Sequence, residues 1–318
     1  MTVGMERSVV SALCAGAIAL APSPACAAPL VPSASVIPAL MTWPDLLGRQ
    51  RPEPDRTLSY GTDDHQVVDL WLPSGKGPHP TVLMLHGGCW TTKIADRTYM
   101  NWAAADLRSR GIAVWNIDYR GVDLPGGGYP GTFQDVATAA DMLARVAPQY
   151  HLSIGHLVAV GHSAGGHLAM WLAARWNLPS TSILYSAHPL TVTSVVSLGG
   201  LPDLEAATHP PKGSCRASSA TQLVGAASPS RPNVFADTSP AAMSIWSAQT
   251  TSINGALDII APPDLANAFG DAMARKGKII DRVTVANSGH IELVAPETPA
   301  WHLAVKIIMR GIASGKRP

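Results

Sequence analysis

A serine within a cluster of glycines is the first residue of this sequence that could carry chemistry. Ser163 is the centre of "GHSAG", residues 161–165, which follows an apolar run and precedes an amphipathic stretch. The pentapeptide alone is weak evidence, because a chain rich in glycine and serine often contains one by chance. Its place between a strand pattern and a helix pattern favours a sharp turn that presents the hydroxyl at a helix N-terminus. Ser163 is therefore a candidate nucleophile, and the alternative is a small residue that fills a turn.

A serine hydroxyl needs a base and a third group that orients the base. His290 follows a predicted strand in the loop "NSGH", and Asp258 ends another in "INGALD". Open α/β sheets place their sites in loops beyond the carboxyl ends of strands, and the order Ser163, Asp258, His290 fits an elbow of this type. Asp258 could instead cap the helix that follows it, and Asp264 is the competing carboxylate.

Acyl transfer also needs donors for the negative charge of a tetrahedral intermediate. The stretch "LHGGCW" follows a predicted strand, and glycines there let backbone N–H groups approach a substrate oxygen closely. We predict an oxyanion hole made by the N–H groups of Gly87, Gly88 and Ala164, with a turn of no chemical meaning as the alternative. Trp90, at the end of the stretch, is predicted to line the substrate pocket.

The elements that would position these residues alternate along the chain. Residues 56–73 have the alternating pattern of an antiparallel hairpin. Continuous apolar runs, typical of strands buried on both faces, follow at residues 81–86, 112–118, 156–162, 191–198, 250–257 and 282–287. Helical patterns begin between them at Asn101, Thr132, Ala164, Pro263 and Pro299. This predicts an α/β fold with a mostly parallel central sheet and helices on both faces.

Three segments are expected in the chain. Residues 1–27 resemble a signal peptide, with Arg7 before an apolar run and small residues at Ala25 to Ala27, so we expect an exported protein cleaved near Ala27. Residues 28–54 form a proline-punctuated N-terminal arm, and residues 55–318 form the catalytic domain. Within the domain, residues 201–246 lack a sustained period and predict an irregular lid.

Composition limits the partners. The 318 residues carry a formal net charge of +1 without a run of Lys or Arg, which argues against a nucleic-acid or anionic membrane surface. The apolar run near the N-terminus is too short to span a bilayer. No cofactor or metal is implied, because the histidines around Ser163 have no common metal spacing. In an exported chain Cys89 and Cys215 could form a disulfide or remain two free buried thiols, and the sequence leaves both possible.

Taken together, "HGGCW", "GHSAGGHLA", "GALD" and "SGH" resemble the α/β-hydrolase fold. Within it they resemble the esterase branch that contains arylformamidases (kynurenine formamidases) and feruloyl or acetylxylan esterases. The resemblance spans Leu58 to Ala313 and implies a serine hydrolase with Ser163, Asp258 and His290 as its triad. "TSPAAM" also resembles the segment of that family that returns the lid to the sheet. Cys89 departs from the glycine or aromatic residue common in relatives.

The expected substrate is a small-molecule ester, or an activated amide or formamide, cleaved through an acyl-enzyme intermediate. Two alternatives remain. One is a hydrolase fold used as a binding module without turnover. The other is a peptidase of the prolyl-oligopeptidase type, which shares the order of the triad but resembles a domain preceded by a large propeller.

Overall fold

Eight strands form one sheet in the computed structural model, which describes residues 39–244 and 246–314. The strands are β1 Arg56–Ser59, β2 Val67–Trp71, β3 His79–Leu85, β4 Ala113–Ile117, β5 Leu152–His162, β6 Ser194–Leu198, β7 Gln249–Gly255 and β8 Asp281–Val285. Their order across the sheet is β1-β2-β4-β3-β5-β6-β7-β8. Strand β2 is antiparallel to both of its neighbours, and all other pairs are parallel. The predicted hairpin and mostly parallel sheet are confirmed.

Helices cover both faces of this sheet. They are α1 Trp43–Leu47, α2 Asn101–Ser109, α3 Gly131–Val146, α4 Ala164–Ala174, α5 Leu204–Ala207, α6 Ala217–Val224, α7 Pro263–Arg275 and α8 Pro299–Ala313. Because side chains alternate along a strand, β3 supplies Leu83 and Leu85 to one core and Val82 and Met84 to the other. The first core holds the apolar residues of α3, α4 and α7, and the second holds those of α2 and α8. Two buried faces explain why the strands have continuous apolar runs.

The end of strand β5 and helix α4 are deeply buried. The last six residues of β5 and all eleven residues of α4 are buried. In the sheet, β5 lies between β3 and β6, and Gly161 pairs with Leu85 on one side and Ser197 on the other. The turn that joins β5 to α4 is therefore held on all sides.

The lid segment, residues 201–246, is more ordered than its sequence predicts, because it contains α5 and α6. Its return toward the sheet is fixed by Asp237, whose carboxylate accepts hydrogen bonds from Tyr129 Oη at 3.0 Å and Ser182 Oγ at 3.0 Å. The guanidinium of Arg231 pairs with the same carboxylate at 2.7 Å and lies 3.6 Å over the Tyr129 ring. Small residues such as Ala220 occupy buried positions of this segment, so its sequence lacks the large apolar residues at helical spacing that would predict a helix.

The described part of the N-terminal arm packs on the domain. Trp102 Nε1 donates to the carbonyl of Gln50 at 3.2 Å, and Asn101 Nδ2 donates to that of Pro52 at 2.9 Å. The predicted signal peptide, residues 1–27, lies outside the described residues. Within the described ranges, no helix combines the length and the apolar character needed to cross a membrane.

Candidate active site

Ser163 occupies a strained turn between β5 and α4. Its backbone has φ 55° and ψ −122°, a left-handed conformation that is costly for a residue with a side chain. The serine N–H donates to the carbonyl of Leu198 at 2.8 Å, which holds the strain in place. A Cβ on Gly165 would lie 2.2 Å from the carbonyl oxygen of Leu85, so the turn also needs glycine for close backbone approach. This is the geometry that the pentapeptide predicts for a nucleophile.

Asp258 and His290 form a buried acid–base pair. Asp258 follows β7, His290 follows β8, and Asp258 Oδ2 lies 2.6 Å from His290 Nδ1. Asp258 Oδ1 accepts the backbone N–H groups of Ile260 at 2.8 Å and Ala261 at 2.9 Å, which fixes the carboxylate. The competing Asp264 lies in the first turn of α7. An imidazole oriented through Nδ1 leaves Nε2 available as a general base.

The acid–base pair packs against the residue that precedes Ser163. The His290 ring lies beside that of His162, the residue that precedes Ser163, with ring centroids 4.4 Å apart. In the part of the chain that the structure describes, the Ser163 hydroxyl forms no hydrogen bond with His290. Such bonds are often long before substrate binds, and they tighten in the reacting complex.

The glycine loop, residues 86–90, follows β3 and lies against the serine. A Cβ on Gly87 would lie 2.7 Å from the Cβ of Ser163, so only glycine allows this approach. Gly88, Cys89 and Trp90 all have positive φ values, of 98°, 53° and 57°. The N–H of Gly87 donates to Tyr99 Oη, which corrects the prediction that this N–H is free for a substrate oxygen. The predicted donors at Gly88 and at Ala164, the first residue of α4, have no such competitor among the described hydrogen bonds.

Trp90 lies in the protein core, where its side chain is completely buried. Its indole N–H donates to His167 Nδ1 at 3.2 Å, and His167 Nε2 lies 2.8 Å from the carbonyl oxygen of Thr238. Burial lowers the pKa of His167 to about 4, so the ring is neutral and its proton is on Nε2. Trp90 and His167 thus fasten the glycine loop to the lid segment, and the predicted pocket role of Trp90 does not agree with its burial.

A disulfide fastens the same two segments a second time. Cys89 in the glycine loop is bonded to Cys215 in the lid segment, with Cα atoms 5.4 Å apart. The pairing that the sequence left open is thus present. Since Cys215 lies two residues before the start of α6, the disulfide sets where that helix begins relative to the loop.

An ionic cluster of His86, Asp118 and Arg97 supports the start of the glycine loop. His86 stacks on Tyr119 with ring centroids 4.1 Å apart, and its Nε2 lies 2.9 Å from Asp118 Oδ1. Burial opposes ionisation of Asp118, but the bond to His86 and the nearby charge of Arg97 hold its carboxyl pKa below the usual value. Within residues 39–244 and 246–314, no group of three metal-ligating side chains is arranged around an ion site.

Several site residues could not be found from the sequence. Tyr99 lies in "RTYM", which has no signature, and Trp43 lies in the arm although its ring packs 5.4 Å from that of Tyr99. Glu292 accepts the N–H of Gly289 at 3.0 Å and that of Met41 at 2.6 Å, which joins the arm to the His290 loop. The contacts of Trp43 with Tyr99 and of Met41 with Glu292 connect residues distant in sequence, so no local pattern predicts them.

Comparison with known proteins identifies the family of this chain. The BD-FAE family model, which describes a family of α/β hydrolases, matches residues 68–273, well over half of the chain. No curated protein matches the sequence. The arylformamidase part of the predicted resemblance is not confirmed.

Solved structures share the fold. The chain is similar to esterase B from Lactobacillus rhamnosis, with a TM-score of 0.68 and 18% identity over 83% of this chain and 88% of that one. It is also similar to a truncated carbohydrate esterase from gut microbiota, with a TM-score of 0.66 and 18% identity over 83% and 100%. A thermophilic esterase, Est2 of Thermogutta terrifontis, gives a TM-score of 0.61 and 16% identity over 84% and 96%. At these identities the likeness establishes the fold of the chain.

Proposed function

This chain belongs to the BD-FAE family of α/β hydrolases, and we propose that it cleaves carboxylic esters through an acyl-enzyme on Ser163. The observation that carries the proposal is the Asp258–His290 pair at 2.6 Å, which packs against His162, the neighbour of a serine held in a strained turn. A turn that only filled space would need neither the strain nor an oriented, buried imidazole. Esters fit better than peptides, since esterases recur among the similar structures.

In the proposed mechanism His290 Nε2 takes the proton of Ser163 Oγ as the oxygen attacks the ester carbonyl. Asp258 keeps the imidazole oriented and stabilises the imidazolium that forms. The N–H groups of Gly88 and Ala164 stabilise the oxyanion of the tetrahedral intermediate, an effect worth about 10²–10³ in rate for each donor. His290 then gives its proton to the leaving alcohol, and water activated by the same base releases the acid.

Ser163→Ala tests this proposal directly. The wild-type protein and the variant are assayed on p-nitrophenyl esters from acetate to decanoate, with N-formylkynurenine and a short peptide panel alongside. We expect ester turnover that falls by at least about 10³-fold in the variant, because the nucleophile is lost. Ser194→Ala is the matched control. Ser194 is a buried serine at the start of β6, whereas Ser163 follows the end of β5, so the Ser194→Ala variant should keep its activity.

The remaining outcomes identify the alternatives. Turnover that survives in Ser163→Ala would show that another group is the nucleophile. Preferential cleavage of N-formylkynurenine would indicate a formamidase, and peptide cleavage a peptidase. A folded wild-type protein that cleaves nothing and resists a fluorophosphonate probe would indicate a binding module. The probe is apt because an esterase B inhibited by a phosphonate and an esterase 2 phosphoramylated by tabun are among the structures similar to this chain.

We also propose that the protein is exported. The disulfide between Cys89 and Cys215 supports this, because disulfides persist in oxidising compartments and are rare in a reducing cytosol. The sequence of residues 1–27 supplies the expected export signal.

A further inference from the structure

Three loops of the candidate site meet at a buried tyrosine–histidine pair that the mechanism above does not use. Tyr99 Oη accepts the N–H of Gly87 and lies 2.7 Å from His162 Nδ1. His162 Nε2 lies 3.1 Å from the carbonyl oxygen of His290. The chain of contacts thus runs from the glycine loop, through the residue that precedes the nucleophile, to the backbone of the proposed base.

The two backbone groups at the ends of this series of contacts fix the direction of each hydrogen bond in it. The carbonyl oxygen of His290 can only accept, so His162 Nε2 carries a proton. In the neutral ring His162 Nδ1 is then an acceptor, and the Tyr99 hydroxyl must donate to it. The N–H of Gly87 in turn donates to the oxygen of Tyr99, which leaves no group in the chain unpaired.

The surroundings keep both groups in these protonation states. Burial lowers the pKa of His162 well below its usual value, and the neighbouring His290 ring acts in the same direction. Burial also raises the pKa of the Tyr99 hydroxyl. The Trp43 ring packs edge-on against both, with centroids 5.4 Å from Tyr99 and 6.5 Å from His162. The pair is therefore enclosed by protein, where its hydrogen bonds are stronger than in water.

We propose that Tyr99 and His162 are positioning residues that couple the glycine loop to the His290 loop. The inference rests on the proposed function. Fixing the N–H of Gly87 sets the orientation of the next peptide, whose Gly88 N–H is the proposed oxyanion donor. Fixing the carbonyl of His290 restricts where its ring can lie relative to Ser163. The hydrogen-bonded Tyr99–His162 unit thus fixes the positions of the Gly88 N–H and of His290 relative to Ser163.

Tyr99→Phe separates this role from simple packing, because it removes the hydroxyl and keeps the ring. We expect kcat on a p-nitrophenyl ester to fall about 10- to 100-fold while KM changes less than about threefold, since misplacement of reacting groups costs rate more than binding. The control is Tyr60→Phe, which removes a half-buried hydroxyl that donates to the backbone carbonyl of Asp118 at 2.8 Å. Tyr60 bonds the backbone of Asp118 and not the carboxylate that contacts His86, and it forms no hydrogen bond with residues 86–90 or with the His290 loop, so its variant should keep kcat.

A kcat for Tyr99→Phe within about twofold of that of Tyr60→Phe would overturn the proposal. The proposal would also be overturned if the activity of Tyr99→Phe fell only in proportion to its folded fraction, as measured by urea unfolding. A double variant with His162→Gln adds a second test. If the two residues act as one unit, its kcat should match that of the more damaged single variant, whereas multiplied losses would show independent roles.

Nitrogen spectra of ¹⁵N-histidine-labelled protein give a readout that needs no turnover, and so separate failure of this inference from failure of the proposed function. We expect His162, assigned from the signals lost in His162→Gln, to be protonated at Nε2 and unprotonated at Nδ1. Tyr99→Phe should shift the His290 signals and Tyr60→Phe should not. A His162 ring protonated at Nδ1, or His290 signals unchanged in Tyr99→Phe, would overturn the coupling even in a protein that cleaves no ester.

Discussion

Protonation of His167 should cost the protein stability at mildly acidic pH. Its buried ring accepts the indole N–H of Trp90 on Nδ1 and donates from Nε2 to the carbonyl of Thr238. A second proton on the ring would turn Nδ1 into a donor, which would then face the N–H of Trp90. Burial lowers the pKa of His167 to about 4 in the folded protein, from an ordinary value of 6.5. Between these values the unfolded chain binds more protons than the folded one. The free energy of unfolding therefore falls as pH drops through this window, and this group has no effect above it.

The size of this loss follows from the two pKa values. One pKa unit corresponds to about 1.4 kcal/mol, so the linkage gives a loss of about 2 kcal/mol at pH 5 and about 3 kcal/mol at pH 4. The assay is urea unfolding of the wild type and His167→Gln at pH 7, 5 and 4. Glutamine can accept and donate through one amide but does not titrate. His162, whose pKa burial also lowers, is present in both proteins and cancels in the difference.

We expect the stability gap between wild type and His167→Gln to shrink by these amounts as pH falls. A gap that stays constant from pH 7 to pH 4 would refute the reasoning, because it would mean that His167 titrates alike in the folded and unfolded states. A gap that widens on acidification would show a folded-state pKa raised above its ordinary value, which is the opposite sign.

Two further predictions concern covalent structure. Replacing Cys89 and Cys215 together by alanine should lower the free energy of unfolding, measured in urea, by about 3–5 kcal/mol. The reason is that the disulfide closes a loop with a sequence separation of 126. A loss below about 1 kcal/mol would show that the bond does not constrain the unfolded chain. The exported protein, analysed by intact-mass spectrometry, should begin near Ala28 and gain two hydrogen atoms on reduction, and a mass that retains residues 1–27 would contradict the predicted cleavage.

The sheet could be predicted from the sequence because helices bury both of its faces. Continuous apolar runs such as that before Ser163 therefore mark strands, and the alternating hairpin marks the antiparallel edge. Boundaries were less accurate where the pattern weakens. Strand β5 begins at Leu152, four residues before its predicted start, because its first half is partly exposed and polar.

The site could be predicted only as far as local patterns reach. Ser163, Asp258 and His290 lie where strand patterns end, and the structure brings Asp258 and His290 into contact. Which glycine N–H is free depends on Tyr99, whose hydroxyl reaches back to Gly87 from a later turn, so no local rule could separate Gly87 from Gly88. Exposure likewise depends on the whole fold, so the sequence pattern predicts a pocket position for Trp90 although it lies in the core.

The hydrogen bond between Met41 and Glu292 has a consequence for the order of assembly. It joins residues 251 positions apart, and Arg49 similarly pairs with Glu297. Contacts of such separation form only after the intervening chain has been synthesised and has closed its loop. A nascent chain that has passed β5 already contains Ser163, the proposed nucleophile. The proposed base, His290, follows the last strand, and Met41 can bond only to the loop that carries it. The proposed triad and this contact of the arm can therefore form only after the chain has been synthesised as far as Glu292.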